Sequence, residues 1–176
     1  MDPIPVIGEN ASQFPMVPSF MQQPVGEARF LTDEMLAGLA RWLRAAGYDT
    51  VQAPAGGPDR ALVALAVDEE RLLLTRDRAI LDRRQAVGVA VVLAGEGLDA
   101  WAAELAALGV DWRLAPFTRC LVCNMALVDA PAAVPLPAGA HPPVRWCPVC
   151  RKPYWRGGHV RRMEARLIRW GGASVP

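Results

Sequence analysis

Four cysteines, the only ones in the chain, are arranged as two Cys-x-x-Cys pairs. Cys120 and Cys123 form the first pair, Cys147 and Cys150 form the second, and 23 residues separate the pairs. Because each pair directs two thiolates to one point, two pairs complete the tetrahedron of a closed structural zinc site. The spacing therefore predicts one structural Zn²⁺. Two disulfides are the alternative, but no secretory signal accompanies the cysteines, and a thioredoxin-like redox pair would leave the other pair without a role.

Length and composition limit the number of domains. The chain has 176 residues, 52% of them hydrophobic, which is enough for one ordinary core and a small added module. Residues 1–28 contain five prolines and no basic segment ahead of an apolar run. This composition predicts a flexible tail and neither a signal peptide nor a transmembrane segment. We expect a soluble, cytoplasmic protein with reduced thiols and no membrane partner.

Charge is divided unevenly along the chain although the net charge is only +1. Residues 1–114 contain 10 basic and 16 acidic residues, whereas residues 115–176 contain 9 basic and 2 acidic residues. A general preference for arginine, which supplies 18 of the 19 basic residues, does not explain this segregation. The division predicts a basic C-terminal part that binds polyanions and an N-terminal part that concentrates carboxylates.

Short β-rich runs alternate with helical patterns in the first part of the chain. After the run at 28–32, Leu36, Leu39, Ala40 and Leu43 fall on one face of a helix that Gly47 ends. Further strands are predicted at 49–53, 72–75 and 89–94, and further helices from Pro58, over 77–86 and from 98 to Gly109. This alternation predicts an α/β fold whose parallel sheet is covered by helices on both faces.

The pattern changes after Val110. The segment between the cysteine pairs is too rich in proline for a helix, so a loop and a short hairpin are expected there. The last helical pattern places arginines on one face and apolar residues on another, namely Arg162, Arg166 and Arg169 against Val160, Met163 and Leu167. We therefore predict a tail at 1–28, an α/β domain at 29–114, and a zinc ribbon with a basic helix at 115–176.

Acidic side chains follow two of the predicted strands. Asp33 and Asp77 each lie just beyond a strand, at the edge where parallel sheets bind ligands. Carboxylates together with water and phosphate oxygens are ligands for Mg²⁺ or Mn²⁺, so these residues are candidate catalytic metal ligands, with Asp59 as a third. Glu34 and Asp82 are further candidates. Capping of helix N-termini is the alternative role for Asp33 and Asp77, and a favourable first-turn charge is the alternative for Asp59.

Aromatic and basic residues are mixed after the last cysteine. Aromatic rings stack on unpaired bases and guanidinium groups hold phosphates, a combination that suits single-stranded nucleic acid. The candidate RNA-binding residues are Tyr154, Trp155, Arg156, His159, Arg161 and Arg162. The alternative is that the two aromatic rings cover the small core of the ribbon and that the histidine is a cap or surface residue.

Four segments in order resemble one known family. FLTDEMLAGLARWLRAAGYDT, LLLTRDRAIL, FTRCLVCNMAL and RWCPVCRKPYWRGGHVRRM are similar to the Mut-seven carboxy-terminal ribonuclease family, over residues 29 to 168. The resemblance implies a PIN-like nuclease fold, divalent-metal-dependent cleavage of RNA, and a zinc ribbon that helps to bind RNA. By motif, Asp33 matches the acid after the first strand and Asp77 matches the acid of the Thr-Arg-Asp segment. Asp59 matches only loosely, and Glu34 stands where the family often has a small residue.

These observations predict a metal-dependent ribonuclease with structural Zn²⁺ and catalytic Mg²⁺ or Mn²⁺. Two other enzyme classes fit less well. Receiver domains use a lysine of the sheet to hold a phosphoryl group, but the only lysine here is Lys152, in the cysteine module. Haloacid-dehalogenase-like phosphatases need an Asp-x-Asp motif after the first strand, and the chain has Asp33-Glu34-Met35 there. The alternative function is non-catalytic RNA or ribosome binding, in which the acids only cap helices. A toxin role would require an antitoxin as partner.

Overall fold

The computed structural model describes residues 28–136 and 138–172. The tail predicted at 1–28 lies outside the described residues except for Ala28. Within the described part of the chain, no helix is both long enough and apolar enough to cross a membrane.

Four parallel strands form the main sheet, in the order β2-β1-β3-β4. The strands are β1 (Phe30–Thr32), β2 (Thr50–Gln52), β3 (Leu72–Thr75) and β4 (Ala90–Val92), and the helices between them are α1 (Ala37–Ala46) and α2 (Asp59–Asp68). Helix α3 (Leu98–Ala107) follows β4. The predicted parallel sheet flanked by helices is confirmed.

Alternate residues of the central strands serve two separate cores. Phe30 and Leu74 pack with α1 and α3 on one face of the sheet, whereas Leu31 and Leu73 pack with α2 on the other face. All four side chains are buried. Because successive side chains of a strand point to opposite faces, continuous apolar runs such as the three leucines at 72–74 are the expected sequence of strands covered on both sides.

Helix α1 ends at Gly47, as the sequence predicts, and the backbone there requires glycine. Gly47 has φ of 108°, a left-handed conformation that side chains disfavour. A Cβ at this position would lie 2.5 Å from the carbonyl oxygen of Ala115. The close approach brings the chain that enters the cysteine module against the end of α1, where Ala115 N–H donates to Ala46 O.

Residues 77–86 differ from the single helix that the sequence predicts. They form two short 3-10 helices, Arg78–Asp82 and Arg84–Ala86, separated by the extended backbone of Arg83. Ile80 and Ala86 are the buried residues of this segment. Both side chains pack in the core cluster that contains Val63 and Ala66 of α2.

A second, antiparallel sheet carries the second cysteine pair. Its strands β5 (Val128–Asp129), β6 (Val144–Cys147) and β7 (Lys152–Trp155) pair in that order. The segment between β5 and β6 contains neither helix nor strand among its described residues, as its proline content predicts.

The C-terminal helix α4 (Gly158–Gly171) packs on the main core. Met163, Leu167 and Trp170 are buried and join the cluster of α1 and α3. Arg166 lies over the rings of Trp42 and Trp170, 5.4 and 5.0 Å from their centroids. Helix α4 thus contributes to the core of the first part of the chain. The domain limits predicted at 29–114 and 115–176 stay a prediction.

Candidate functional site

An acidic cavity lies beyond the carboxyl ends of β1 and β3. These two strands are neighbours at the point where the connections of the sheet reverse direction, which is where open parallel sheets bind ligands. The cavity has a volume of about 160 Å³. Its lining includes all three predicted catalytic acids and one further candidate: Asp33, Asp59, Asp77 and Glu34.

Asp33 is a buried carboxylate held by three hydrogen bonds. Its Oδ1 accepts from the backbone N–H of Leu36 at 3.1 Å, and its Oδ2 accepts from the hydroxyl of Thr75 at 2.6 Å and from the N–H of Arg76 at 3.3 Å. The side chain therefore fixes the short turn after β1 to the end of β3. It also caps a 3-10 helix, the alternative role that the sequence leaves open.

Asp77 is exposed at the mouth of the cavity. Its Oδ1 accepts from Ala79 N–H at 2.9 Å, so it too caps a 3-10 helix. Its own N–H donates to the Thr75 hydroxyl at 3.0 Å. One threonine side chain thus connects the two predicted acids, Asp33 and Asp77.

The remaining acids of the cavity have partners from neighbouring loops. Oδ2 of Asp59 pairs with Nη2 of Arg83 at 3.1 Å. Oε2 of Glu34 accepts from Gly56 N–H at 2.9 Å and so holds the loop that precedes α2. Asp82, the last acidic candidate, does not line the cavity.

The acids converge on one cavity without forming a tight cluster. In residues 28–136 and 138–172, the four cysteines are the only His, Cys, Asp or Glu group with three or more ligand atoms within 4.8 Å of one another. Thr75 and Arg83 are the site residues that the sequence analysis missed. Thr75 directly follows the apolar part of its strand, which is a usable signal, whereas nothing in the sequence links Arg83 to Asp59.

The four cysteine sulfurs form a compact group. Sγ of Cys123 lies 3.4 Å from Sγ of Cys147, and Sγ of Cys120 lies 3.8 Å from Sγ of Cys150. These distances exceed the disulfide bond length of about 2.05 Å. A tetrahedron with metal–sulfur bonds of about 2.3 Å has sulfurs about 3.8 Å apart. Four cysteines close together could therefore hold a metal such as zinc.

The thiols titrate unequally. Burial by itself would raise the pKa of the Cys120 thiol, but hydrogen bonds from the Cys123 N–H and the Tyr154 hydroxyl lower it to about 6. The pKa of Cys150 rises to about 12, chiefly because of its hydrogen bond with the Cys123 thiol and then because of burial. The first thiolate forms easily, and its negative charge disfavours ionisation of the neighbouring thiols. Four thiolates in one cluster therefore require a cation that balances their charge.

The first cysteine pair is attached to the main domain by buried polar contacts. Arg44 of α1 donates to the carbonyl oxygens of Thr50, Leu121 and Val122 at 2.8 to 3.2 Å. The side chain of Asn124 accepts from Thr50 N–H and donates to Asp49. These bonds fix the turn between Cys120 and Asn124 to the edge of the parallel sheet.

A basic groove of about 560 Å³ lies beside the cysteine cluster. It contains five of the six predicted RNA-binding residues: Tyr154, Trp155, Arg156, His159 and Arg161. Arg162 is exposed but is not part of its lining. Arg41 of α1 also lines the groove and donates to Nε2 of His159 at 3.1 Å.

Two of these residues also have structural contacts. The Tyr154 hydroxyl lies 3.1 Å from Sγ of Cys120, so its ring supports the cysteine cluster, as the alternative role predicts. Arg156 donates twice to Oε2 of Glu164, at 3.2 and 2.8 Å. Trp155 and Arg161 have no such contact in the hydrogen bonds and ion pairs of the described residues.

Comparison with known proteins gives one match. A family model described as the Mut7-C RNAse domain matches residues 28–167. No curated protein and no solved structure matches the chain. The matched range contains the acidic cavity, the cysteine cluster and the basic groove.

Proposed function

The chain belongs to the Mut7-C RNAse domain family, which indicates a nuclease-like, RNA-related function, and from this premise we propose that it is a divalent-metal-dependent ribonuclease. The substrate is RNA, whose phosphodiester bonds it hydrolyses, and the cysteine module assists RNA binding. The observation that carries this proposal is the convergence of Asp33, Asp59 and Asp77 on one open cavity at the reversal point of the sheet.

The donor set of the cavity suits Mg²⁺ or Mn²⁺. Both cations prefer oxygen ligands and bind through one or two carboxylates, with water and substrate phosphate completing the coordination. Asp77 and Asp59 each use only one carboxylate oxygen in their contacts with described residues, and the second oxygen of each is available. Three acids within ligand distance of one another are therefore not required. A bound cation would activate a water nucleophile and neutralise phosphate charge.

The side chains around the cavity have distinct proposed roles. Asp77 and Asp59 hold the cation, and Asp33 completes the negative field while fixing the edge of the site through Thr75. Arg83 pairs with an acid of the cavity, and its proposed role is to stabilise negative charge that develops on the phosphate. Arg76 instead lies over the ring of Trp101, 5.8 Å from its centroid.

The cysteine cluster has the proposed role of a structural zinc site. Cys120, Cys123, Cys147 and Cys150 would supply all four ligands and leave no position for water. A reducing compartment such as the cytoplasm keeps cysteines available as zinc ligands, and we include that location in the proposal. Within it, residues 29–114 are the nuclease unit and residues 115–176 are the RNA-binding unit.

Charge and helix geometry support RNA binding in the basic groove. Helix α4 begins at the groove without a side-chain cap and without an acid in its first turn, which favours an anion there. Glu34 of the acidic cavity and Arg41 of the groove are seven residues apart on α1 and the turn before it. With a rise of about 1.5 to 2 Å per residue, this segment spans about 10 to 14 Å. A single RNA strand would therefore reach from the groove to the cavity.

Non-catalytic RNA or ribosome binding is the second candidate function. Asp33 and Asp77 cap 3-10 helices, and Asp59 is in an ion pair with Arg83, so each acid also has a structural role. Cleavage of labelled RNA in the presence of Mn²⁺, and its loss with a chelator, separates the two functions. RNA binding without any metal-dependent cleavage would favour the second.

A further inference from the structure

Four residues line both of two neighbouring cavities, namely Tyr154, Trp155, Arg156 and Val160. Trp155 and Arg156 are here called the ridge between them. On one side is the basic groove, and on the other is a cavity of about 330 Å³, here called the side cavity. The side cavity is lined by Phe117, Thr118, Pro143 and Arg145 in addition to the ridge. Both volumes fall in the range of small-molecule sites, about 300–1,000 Å³.

The indole of Trp155 packs against Gly157, where there is no side chain to displace it. A Cβ at Gly157 would lie 2.9 Å from Nε1 of Trp155, so the ring occupies the space that a side chain would take. Gly157 has φ of −83°, which means that its backbone does not require glycine. Trp155 is half-buried, and its N–H makes no hydrogen bond to a described residue. The packing thus positions a flat ring whose polar group is free for a ligand.

The lining of both cavities is cationic and aromatic. Arg41 and Arg161 line the groove, and Arg145, which pairs with Asp129 at 2.8 Å, lines the side cavity. Glu164 is the only acidic residue among the described residues that line either cavity, and Arg156 pairs with it. Phe117 adds a half-buried ring to the lining of the side cavity. Cations for phosphates and rings for bases are the features that bind single-stranded nucleic acid.

We propose that two neighbouring unpaired bases of one RNA strand occupy the basic groove and the side cavity, one on each side of the Trp155–Arg156 ridge. This inference rests on the proposed function and narrows its substrate to RNA with a single-stranded segment. Paired bases of a duplex are stacked and cannot separate to enter two cavities. The side cavity, with Phe117 and Arg145, is the second base site.

The test is binding of a labelled single-stranded RNA of about 10 nucleotides to the full-length protein. Fluorescence anisotropy is recorded without added divalent cation, so that the RNA is not cut. The same RNA annealed to its complement, and a polyglutamate competitor, are measured in parallel. The single strand is expected to bind best, and the competitor is expected to displace it poorly. Equal affinity for duplex, or efficient displacement by polyglutamate, would overturn the proposal.

Matched variants locate the binding to the ridge. W155A is expected to weaken binding about 5- to 150-fold, the equivalent of one stacked base. W146A is the control, because Trp146 lies in the same sheet but lines neither cavity.

A second pair of variants tests the position of the ring. G157A displaces the indole of Trp155 without removing it and should also weaken RNA binding. G38A should not, since Gly38 lines neither cavity and its Cβ would meet only Cδ2 of Leu98 at 3.9 Å. Unfolding temperatures of all four variants check the fold.

The second base site is tested with F117L. Leucine keeps an apolar side chain at a backbone φ of 58° but removes the ring. With intact RNA we expect weaker binding by F117L than by the wild type. Equal affinity of F117L and wild type for intact RNA contradicts the second site.

The ribonuclease proposal fails by a different result. Absence of metal-dependent RNA cleavage by the wild type would refute it, whatever the binding data show.

Discussion

The Thr75 hydroxyl donates a hydrogen bond of 2.6 Å to Oδ2 of Asp33, and it accepts one of 3.0 Å from the N–H of Asp77. Thr75 and Asp33 are both buried, so this pair connects the ends of two neighbouring strands inside the protein. A single hydroxyl thereby sets the relative position of the two acids on which the proposed chemistry depends.

Replacement of Thr75 by valine keeps the shape of the side chain and removes this connection. T75V is expected to lower the free energy of unfolding by about 1–3 kcal/mol, because Asp33 loses a partner while it stays buried. T32V is the matched control, since the hydroxyl of Thr32 is buried without a hydrogen-bond partner among the described residues, and its removal should be neutral or stabilising. Urea denaturation measures both. Equal destabilisation by the two changes would contradict the role of Thr75.

Zinc removal is expected to destabilise the whole chain. The turn of the first cysteine pair is bonded to Arg44 and Asn124, so disorder at the cluster releases contacts of the parallel sheet. We predict one zinc per chain by metal analysis, and for C147S both loss of zinc and a lower unfolding temperature. V149S, which changes an exposed residue between two ligands, should retain metal. Zinc loss with no change in unfolding temperature would show that the cluster is not coupled to the sheet.

Replacement of Arg44 by lysine is expected to destabilise the fold. Its guanidinium reaches three carbonyl oxygens at once, and the compact ammonium of lysine cannot reproduce that fork. R44K should therefore lower the free energy of unfolding by about 2–4 kcal/mol. R41K changes an exposed arginine of the same helix and should have little effect in the same denaturation experiment. A stable R44K variant would show that these bonds contribute little.

Asp49 is expected to make the fold sensitive to acid. Burial by itself would raise its pKa, but hydrogen bonds from Arg71 and Asn124 lower it below the ordinary 3.8. The ionised carboxylate thus stabilises the fold above about pH 4, and this contribution is lost as the pH falls through the lowered pKa. D49N should cost about 1–2 kcal/mol at neutral pH and little at the acid end. D68N, at an exposed position of α2, should show no such difference between the two pH values.

The sequence predicts the main sheet well because its signals are local. Buried runs such as Leu72–Thr75 and the glycine after α1 depend on neighbouring residues only. The segment 77–86 is predicted wrongly as one helix: the extended backbone of Arg83 divides it, and Ile80 and Ala86 pack in the core cluster of α2 and the sheet. The local sequence does not distinguish one α-helix from two short 3-10 helices, and tertiary packing selects the latter.

The candidate site is predicted only in part, because the sequence shows its local features but not its long-range contacts. Asp33 and Asp77 lie beside strand ends that the sequence identifies, so their common cavity follows from the sheet. The pairing of Arg83 with Asp59 and the contact of Arg41 with His159 join residues that are 24 and 118 positions apart. No local pattern records such contacts.

The central claim is that carboxylates of the acidic cavity support metal-dependent RNA cleavage, and D77N tests it most directly. Asparagine can still accept the bond from Ala79 N–H that caps the 3-10 helix, whereas it lacks the charge that a divalent cation requires. D82N changes an exposed acid of the same 3-10 helix that does not line the cavity. With Mn²⁺ and labelled RNA, we predict a cleavage rate about 100-fold lower or more for D77N and an unchanged rate for D82N. Equal rates for wild type and D77N would contradict the account.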